Sequence, residues 1–206
     1  MTAFAPAIAR PTGVRSRIAF DVISVVAGSL IVAGLAQVSI HLHFTPVPIT
    51  GQTLGVLLVG ASLGALRGGA ALGLYLIEGG IGLPFFAAGT HGWSILTVSK
   101  LGASGGYLFG FVVAAIVVGY LSERGWDRSI RSSIGAMLIG EVIVYAFGLT
   151  WLAASLHIPM VSSTGKDAYT YGLYPFVIGD LLKMAIAAGL LPAAWKLVKR
   201  GESGRD

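Results

Sequence analysis

Long apolar blocks separated by short polar stretches rich in glycine and proline dominate this chain. Uncharged apolar runs of about 20 residues are long enough to cross a bilayer as helices. The first block covers residues 18–38. A polar stretch with two prolines follows, residues 41–53, and then a second apolar block, residues 54–83. That block carries Arg67 in its middle, flanked by Gly64, Gly68 and Gly69, and its length admits one long span or two short ones. A mixed stretch, residues 84–104, leads to three clearer blocks at about 105–121, 133–156 and 173–198.

The placement of positive charge decides the ambiguous block, because cytoplasmic loops collect Lys and Arg. Arg10, Arg15 and Arg17 precede the first span. Arg124, Arg128 and Arg131 fall between the third-last and second-last spans, and Lys196, Lys199, Arg200 and Arg205 form the tail. These clusters share one side only if the Arg67 block is two spans turning at Arg67 on the cytoplasmic face. The expectation is therefore an all-α integral membrane bundle of six transmembrane helices, about 18–38, 53–66, 68–83, 105–121, 133–156 and 173–198, with both termini cytoplasmic. All fourteen Lys and Arg residues except Lys100, Lys166 and Lys183 then face the cytoplasm. The two halves of the Arg67 block are short for a bilayer and must be shielded by neighbours or border a water-filled vestibule.

Composition agrees. Of 206 residues, 55% are hydrophobic and 11% are charged, against about 25% charged in soluble domains. The mean hydropathy is +0.82. Thirty glycines suit close helix packing in lipid, and spacings such as Ser24/Gly28, Gly60/Gly64 and Gly106/Gly110 suggest packing within the chain or a docking face, best placed on the first span. The net charge of +5 sits at span ends and gives no basic face for nucleic acid. There is no cysteine, hence no disulfide or thiolate metal site. The apolar run from Ile18 is too long for a cleavable signal peptide, and no polar stretch is long enough for a second domain, so residues 1–206 are expected to form a single membrane domain.

Ionisable residues inside apolar spans are costly and usually have a partner or a function. Asp180 and Lys183, three apart, are neighbours on one helix face near the outer end of the last span. They are a mutual ion pair, a polar anchor for a ligand, or both. Glu78 is a ligand contact or faces external water. Glu141 lies mid-span with Tyr145 one turn on, and suits a protonated, hydrogen-bonded carboxyl. Asp21 reaches the inner interface or pairs with an arginine. Phe85, Phe86, Trp93, Tyr107, Tyr169, Tyr171 and Tyr174 gather toward the outer face, as an interfacial belt or as pocket walls.

Two motifs point elsewhere. Residues 102–106, Gly-Ala-Ser-Gly-Gly, fit the serine-hydrolase pattern G-x-S-x-G, which makes an intramembrane hydrolase using Ser104 a remote alternative. The only later histidine is His157, at the outer end of the fifth span, so no base is evident. No phosphate-binding P-loop occurs, so the chain supplies no ATPase of that type. His41 and His43 lack a third ligand, and no metal site is expected. The chain is read as a non-enzyme.

Four segments in order resemble the BioY family of biotin-specific substrate-binding subunits of energy-coupling-factor transporters. They are Pro46-Val-Pro-Ile-Thr-Gly-Gln-Thr53, Tyr75-Leu-Ile-Glu-Gly-Gly-Ile-Gly-Leu-Pro-Phe-Phe86, Gly105-Gly-Tyr-Leu-Phe-Gly-Phe111 and Pro175-Phe-Val-Ile-Gly-Asp-Leu-Leu-Lys183. The likeness spans residues 17–197 and departs at Ala103-Ser104, where the family usually has Pro-Thr. It implies capture and uptake of biotin across a bacterial cytoplasmic (inner) membrane, with a transmembrane coupling subunit and two ATPase subunits as partners. A stand-alone facilitator or secondary transporter is the alternative. Biotin is then transported ligand rather than cofactor. Asp180 would accept from the ureido N–H groups, and Lys183 would meet the ureido carbonyl or the carboxylate. Gln52 would add an amide hydrogen bond, with Phe85, Phe86, Trp93 and Tyr107 packed on the rings and Glu78 at the rim.

Overall fold

The computed structural model describes residues 3–9 and 13–203. Arg10 and Arg205, expected in the basic clusters, lie outside the described residues. A short helix, α1 (Phe4–Ala9), precedes α2 (Val14–Gln37). A two-residue antiparallel ladder follows, β1 (Ser39–Ile40) with β2 (Ile49–Thr50), pairing Ser39 with Thr50 and Ile40 with Ile49. Then come α3 (Gln52–Leu63), α4 (Ala65–Gly80), two 3₁₀ turns (Ala87–Gly89 and Trp93–Leu96) and α5 (Gly105–Glu123). A third 3₁₀ turn (Trp126–Arg128) leads to α6 (Ile130–Leu156), α7 (Ala168–Gly172) and α8 (Val177–Ser203). The tiny ladder is the one departure from an all-helical chain among the described residues. It closes the proline-containing loop, whose prolines cannot continue a helix.

Four helices are long and apolar enough to cross a membrane: Val14–Gln37, Gly105–Glu123, Ile130–Leu156 and Val177–Lys196 of α8. The Arg67 block divides, and the break falls at Gly64, one turn before Arg67. Gly64 has φ 87°, a left-handed conformation that glycine adopts without strain. Glu123 Oε1, from the end of α5, accepts from the Ala65 amide at 3.0 Å, so a carboxylate serves the amide-rich start of α4. Arg67 stays inside the first turn of α4, where its Nε donates to Asp21 Oδ1 at 2.6 Å. Asp21 is thus paired with arginine, one of the two expectations for it.

In lipid, helices gain little from burying apolar surface against each other, and close backbone contact matters more. Here α5 lies at the centre, packed on α3, α4 and α6. A Cβ on Gly60 would lie 2.8 Å from the Ala115 carbonyl oxygen, so only glycine lets α3 approach α5 this closely. The small residues of α2 also face inward: Ser24 and Ser29 are buried, and a Cβ on Gly28 would meet the Ala71 methyl at 2.9 Å. The outward face of α2 is built of large apolar residues instead, including Val22, Ile23, Leu30 and Ile31.

Helices α6 and α8 run antiparallel. Near the start of α8, Asp180 meets Tyr145 from the middle of α6. At the other end Trp195 Nε1 donates to Asp127 Oδ2 at 2.6 Å, Arg128 stacks on the Trp195 ring, and Phe4 of α1 abuts it edge-on at 5.3 Å. Burial of Asp127 pushes its carboxyl above the ordinary range, opposed by the Trp195 hydrogen bond and the neighbouring Arg128.

Candidate functional site

A pocket opens between α3, α5, α6 and α8, with about 600 Å³ of empty space including the open solvent at its mouth. The loops at residues 47–50 and 86–95 form its upper wall. Its apolar walls include Val47, Phe86, Ile95, Leu108, Phe111 and Phe176, and four of its polar residues, Thr53, Tyr145, Asp180 and Lys183, meet in one hydrogen-bonded cluster.

Asp180 is the centre of that cluster and is only 6% exposed. Its Oδ1 accepts from Lys183 Nζ at 2.9 Å and from Thr53 Oγ1 at 3.1 Å. Its Oδ2 accepts from the Tyr145 hydroxyl. Lys183 Nζ also donates to Thr53 Oγ1 at 3.1 Å. The arrangement follows from local sequence: one helical turn sets Asp180 and Lys183 side by side, and Pro175 places the start of α8 just above them. The pair is electrically neutral as a unit and its hydrogen bonds are charge-assisted, which is how a membrane interior can hold two ions. The ion-bridge expectation for the pair holds, and both residues line the pocket.

Gln52 is buried at 4% exposure and also lines the pocket, but its amide is engaged. Its Nε2 donates to Tyr75 Oη at 2.6 Å, and its Oε1 accepts from Thr50 Oγ1 at 2.8 Å. Tyr75 then donates to the Phe85 carbonyl at 3.1 Å. This relay stitches the β2 end of the loop to the segment carrying Phe86. Phe86 lines the pocket, 1% exposed, with its ring edge-on to Tyr75 at 5.5 Å. Gln37 secures the same segment from α2, donating to the carbonyls of Pro84 at 3.3 Å and Phe86 at 3.4 Å.

Tyr107 lines the pocket and donates to the Gly172 carbonyl at 2.8 Å, while its ring stands edge-on to Tyr145 at 6.3 Å. That carbonyl belongs to α7, whose other tie is Thr45 Oγ1 donating to Tyr171 O at 2.6 Å. Asp167 starts α7 by accepting from the backbone amides of Thr170 at 2.8 Å and Ser162 at 3.1 Å. Those amides hold its carboxyl below the usual range.

Asp180, Lys183, Gln52, Phe86 and Tyr107 thus gather at one pocket, whereas Glu78, Phe85 and Trp93 are not among its lining residues. Phe85 is half-buried against the core cluster, and its carbonyl accepts from Tyr75. Trp93 is 57% exposed and covers Gly80, where a Cβ would meet its ring at 3.1 Å. Glu78 is partly buried near the end of α4, with Oε2 unpartnered among the described residues. Sequence reasoning missed Thr53 and gave Tyr145 no role in the site. Ser104 does line the pocket, yet no histidine does.

The family model described as BioY family matches residues 9–200. The chain is 36% identical to the biotin transporter BioY of Rhizobium etli over 156 residues, 72% of this chain and 78% of that one. It is 37% identical to the biotin transporter BioY of Thermotoga maritima over 160 residues, 78% of this chain and 86% of that one. A crystal structure of the S-component for biotin from an ECF-type ABC transporter has the same fold, with a TM-score of 0.75 and 23% identity over 90% of this chain and 95% of that one. These relatives are named as transporters, not enzymes, and with the apolar helices they make this a multi-pass membrane protein. By the span of the family match and the level of identity to these relatives, the chain belongs to the BioY family.

Proposed function

We propose that this protein captures biotin from outside the cell and delivers it across the cytoplasmic membrane as the substrate-binding subunit of an energy-coupling-factor transporter. The observation that carries the reading is the Asp180–Lys183–Thr53–Tyr145 cluster, centred on the buried Asp180, in a pocket with largely apolar walls. Biotin has matching halves: a ureido group with two N–H donors and one carbonyl, on an apolar bicycle with an aliphatic chain. One ureido N–H donates to Asp180, and Lys183 donates to the ureido carbonyl beside it. Phe86, Phe111 and Tyr107 pack on the rings. Gln52 acts chiefly through Tyr75, holding the wall that Phe86 forms. Glu78, Phe85 and Trp93 support the outer rim rather than touch ligand. Biotin is cargo, and no cofactor takes part.

The same reading gives six crossings within one membrane domain, with both chain ends cytoplasmic. Its support is that the Asp21–Arg67, Glu123–Ala65 and Asp127–Trp195 contacts mark the ends of helices whose basic residues should share one side. A transmembrane coupling subunit and two ATPases complete the machine, since the sequence carries no P-loop of its own.

Equilibrium binding of radiolabelled biotin to the detergent-purified full chain tests the ligand. Saturable binding, competed by unlabelled biotin, is the expected result. Folded protein that binds none would overturn the assignment. Uptake into cells with and without the ATPase subunits then separates the coupled transporter from a stand-alone facilitator.

A further inference from the structure

The end of the bundle opposite the pocket carries a second groove, between the start of α6 and the later turns of α8. Three cations line it: Arg128 from the turn before α6, Arg131 from the first turn of α6, and Lys196 from α8. Gly189, Pro192 and Ala193 line the α8 side with little side-chain bulk. None of the three cations has an ion-pair partner among the described residues. The acids at this end are committed elsewhere. Asp127 accepts from Trp195, Glu123 from the Ala65 amide, and Asp21 from Arg67. Asp127, next to Arg128 in the chain, is 1% exposed and does not line the groove.

Part of the groove is oriented in advance. The Arg128 guanidinium lies 4.7 Å from the centre of the Trp195 ring, which sets the plane of a group whose N–H fork suits a phosphate. Ser129 serves two amides of the first turn of α6: its Oγ accepts from Ser132 at 3.3 Å and its carbonyl from Ser133 at 2.9 Å. The amides of Ile130 and Arg131 precede these and have no acceptor within the helix, and the helix dipole adds positive potential there. Both residues line the groove.

Helix α6 has 27 residues and is about 40 Å long, beyond the roughly 30 Å of the hydrocarbon layer, so its ends reach the headgroups. Helical spacing continues the face of Ile130 to Ile134 and Leu138, and the face of Gly189 back to Ile186 and Leu182. All four of these apolar side chains are exposed. A Cβ on Gly189 would meet nothing within 4 Å, so the groove is open beside it. We propose that this groove holds the phosphate headgroup of an anionic phospholipid, whose acyl chains lie along the exposed faces of α6 and α8. A soluble anion meets the cations but gains nothing from those faces. A zwitterionic lipid brings an ammonium that the three cations repel. The inference requires only that the chain spans a membrane. It does not depend on the ligand of the pocket.

Thermal unfolding of the full chain in an uncharged detergent, with short-chain phosphatidylglycerol added, tests the site. The expected result is a saturable rise in melting temperature, absent with phosphatidylcholine of the same chains and with glycerol phosphate at equal concentration. Replacing both Arg131→Gln and Lys196→Gln should raise the phosphatidylglycerol concentration needed by about tenfold or more. Gly189→Leu, which fills the open space without a clash, should weaken the response similarly while melting like wild type without lipid. Arg124→Gln is the control: this residue stacks on Tyr120 at the same end, outside the groove, and the response should be unchanged. Biotin affinity should stay at the wild-type value in every variant. A full response in the Arg131/Lys196 and Gly189 variants would overturn the proposal. An equal loss in Arg124→Gln would reduce the effect to general surface charge and overturn the groove. An equal rise with glycerol phosphate would make the site one for a free anion and overturn the lipid.

Discussion

The Tyr145 hydroxyl on α6 donates to Asp180 Oδ2 on α8, closing one side of a carboxylate whose other oxygen is held by Lys183 and Thr53. The contact makes the α6–α8 seam part of the pocket wall. Replacing Tyr145 by Phe keeps the ring against Tyr107 and deletes only the donor. Affinity for biotin should fall about tenfold, the equivalent of one buried hydrogen bond to a charged group. Titration of purified Tyr145→Phe with labelled biotin checks this. Unchanged affinity would mean that Lys183 and Thr53 alone orient Asp180.

Removing one member of the Asp180–Lys183 pair should not be symmetric. Lys183→Met strands Asp180 without a cation, a class of change that costs about 3–5 kcal/mol when buried. Asp180→Asn leaves Lys183 with Glu141 as a second carboxyl within electrostatic reach, so its loss of stability should be clearly smaller. Both variants should lose biotin binding by at least about tenfold, because in the proposed binding mode each removes a partner of the ureido ring. Thermal unfolding in detergent and biotin titration of the two variants check both halves.

Asp167 caps α7 at the Thr170 amide and ties it back to the Ser162 amide, and α7 in turn holds Tyr107 and Thr45. Asp167→Ala should loosen that cap and weaken biotin binding several-fold, by faster release. The cap's pH dependence follows from a carboxyl held below its ordinary range. Its contribution is full above the unfolded-state value and disappears as pH falls through the lowered folded value. Dissociation rates measured from neutral to acid pH should rise only at the acid end, and in Asp167→Ala this acid-end rise should be missing.

Asp127 behaves in the opposite sense. Its carboxyl is raised by burial, so the fold prefers it neutral, and its effect on stability worsens as pH climbs through the raised value. Asp127→Asn keeps an acceptor for Trp195 Nε1 and removes the buried charge. The variant should match or exceed the wild-type melting temperature at neutral pH. That advantage should shrink as pH is lowered into the range where Asp127 takes up its own proton. A melting temperature well below wild type at neutral pH would show that the pairing of Asp127 with Arg128 outweighs the burial.

Much of this site was legible along one helix and little of it between helices. Asp180 and Lys183 are three residues apart, and helical geometry alone makes them neighbours. The division of the Arg67 block followed from counting positive charges, although its position depended on which glycine takes a left-handed φ. Tyr145 and Thr53 reach Asp180 from α6 and α3, and no spacing in a single sequence encodes that meeting. Gln52 looked like a free amide because its partner, Tyr75, is 23 positions away. Phe85 and Phe86 looked equivalent as a pair, yet only Phe86 lines the pocket, and the irregular turn that carries them has no periodicity from which to read this. Glu78 and Trp93 belong to the rim, where an aromatic belt and a ligand wall have the same composition.

Helix α3 is 12 residues long and carries Thr53 in its first turn. From the Gly64 turn it rises only about 18 Å, well short of the roughly 30 Å thickness of the hydrocarbon layer. In the proposed orientation the polar cluster sits sunk beneath the outer surface of the bilayer rather than level with it. A molecule that reaches Asp180 has then already travelled a substantial fraction of the distance inward, driven only by its own affinity. The energy drawn from any motor is needed for the remaining stretch and for letting go.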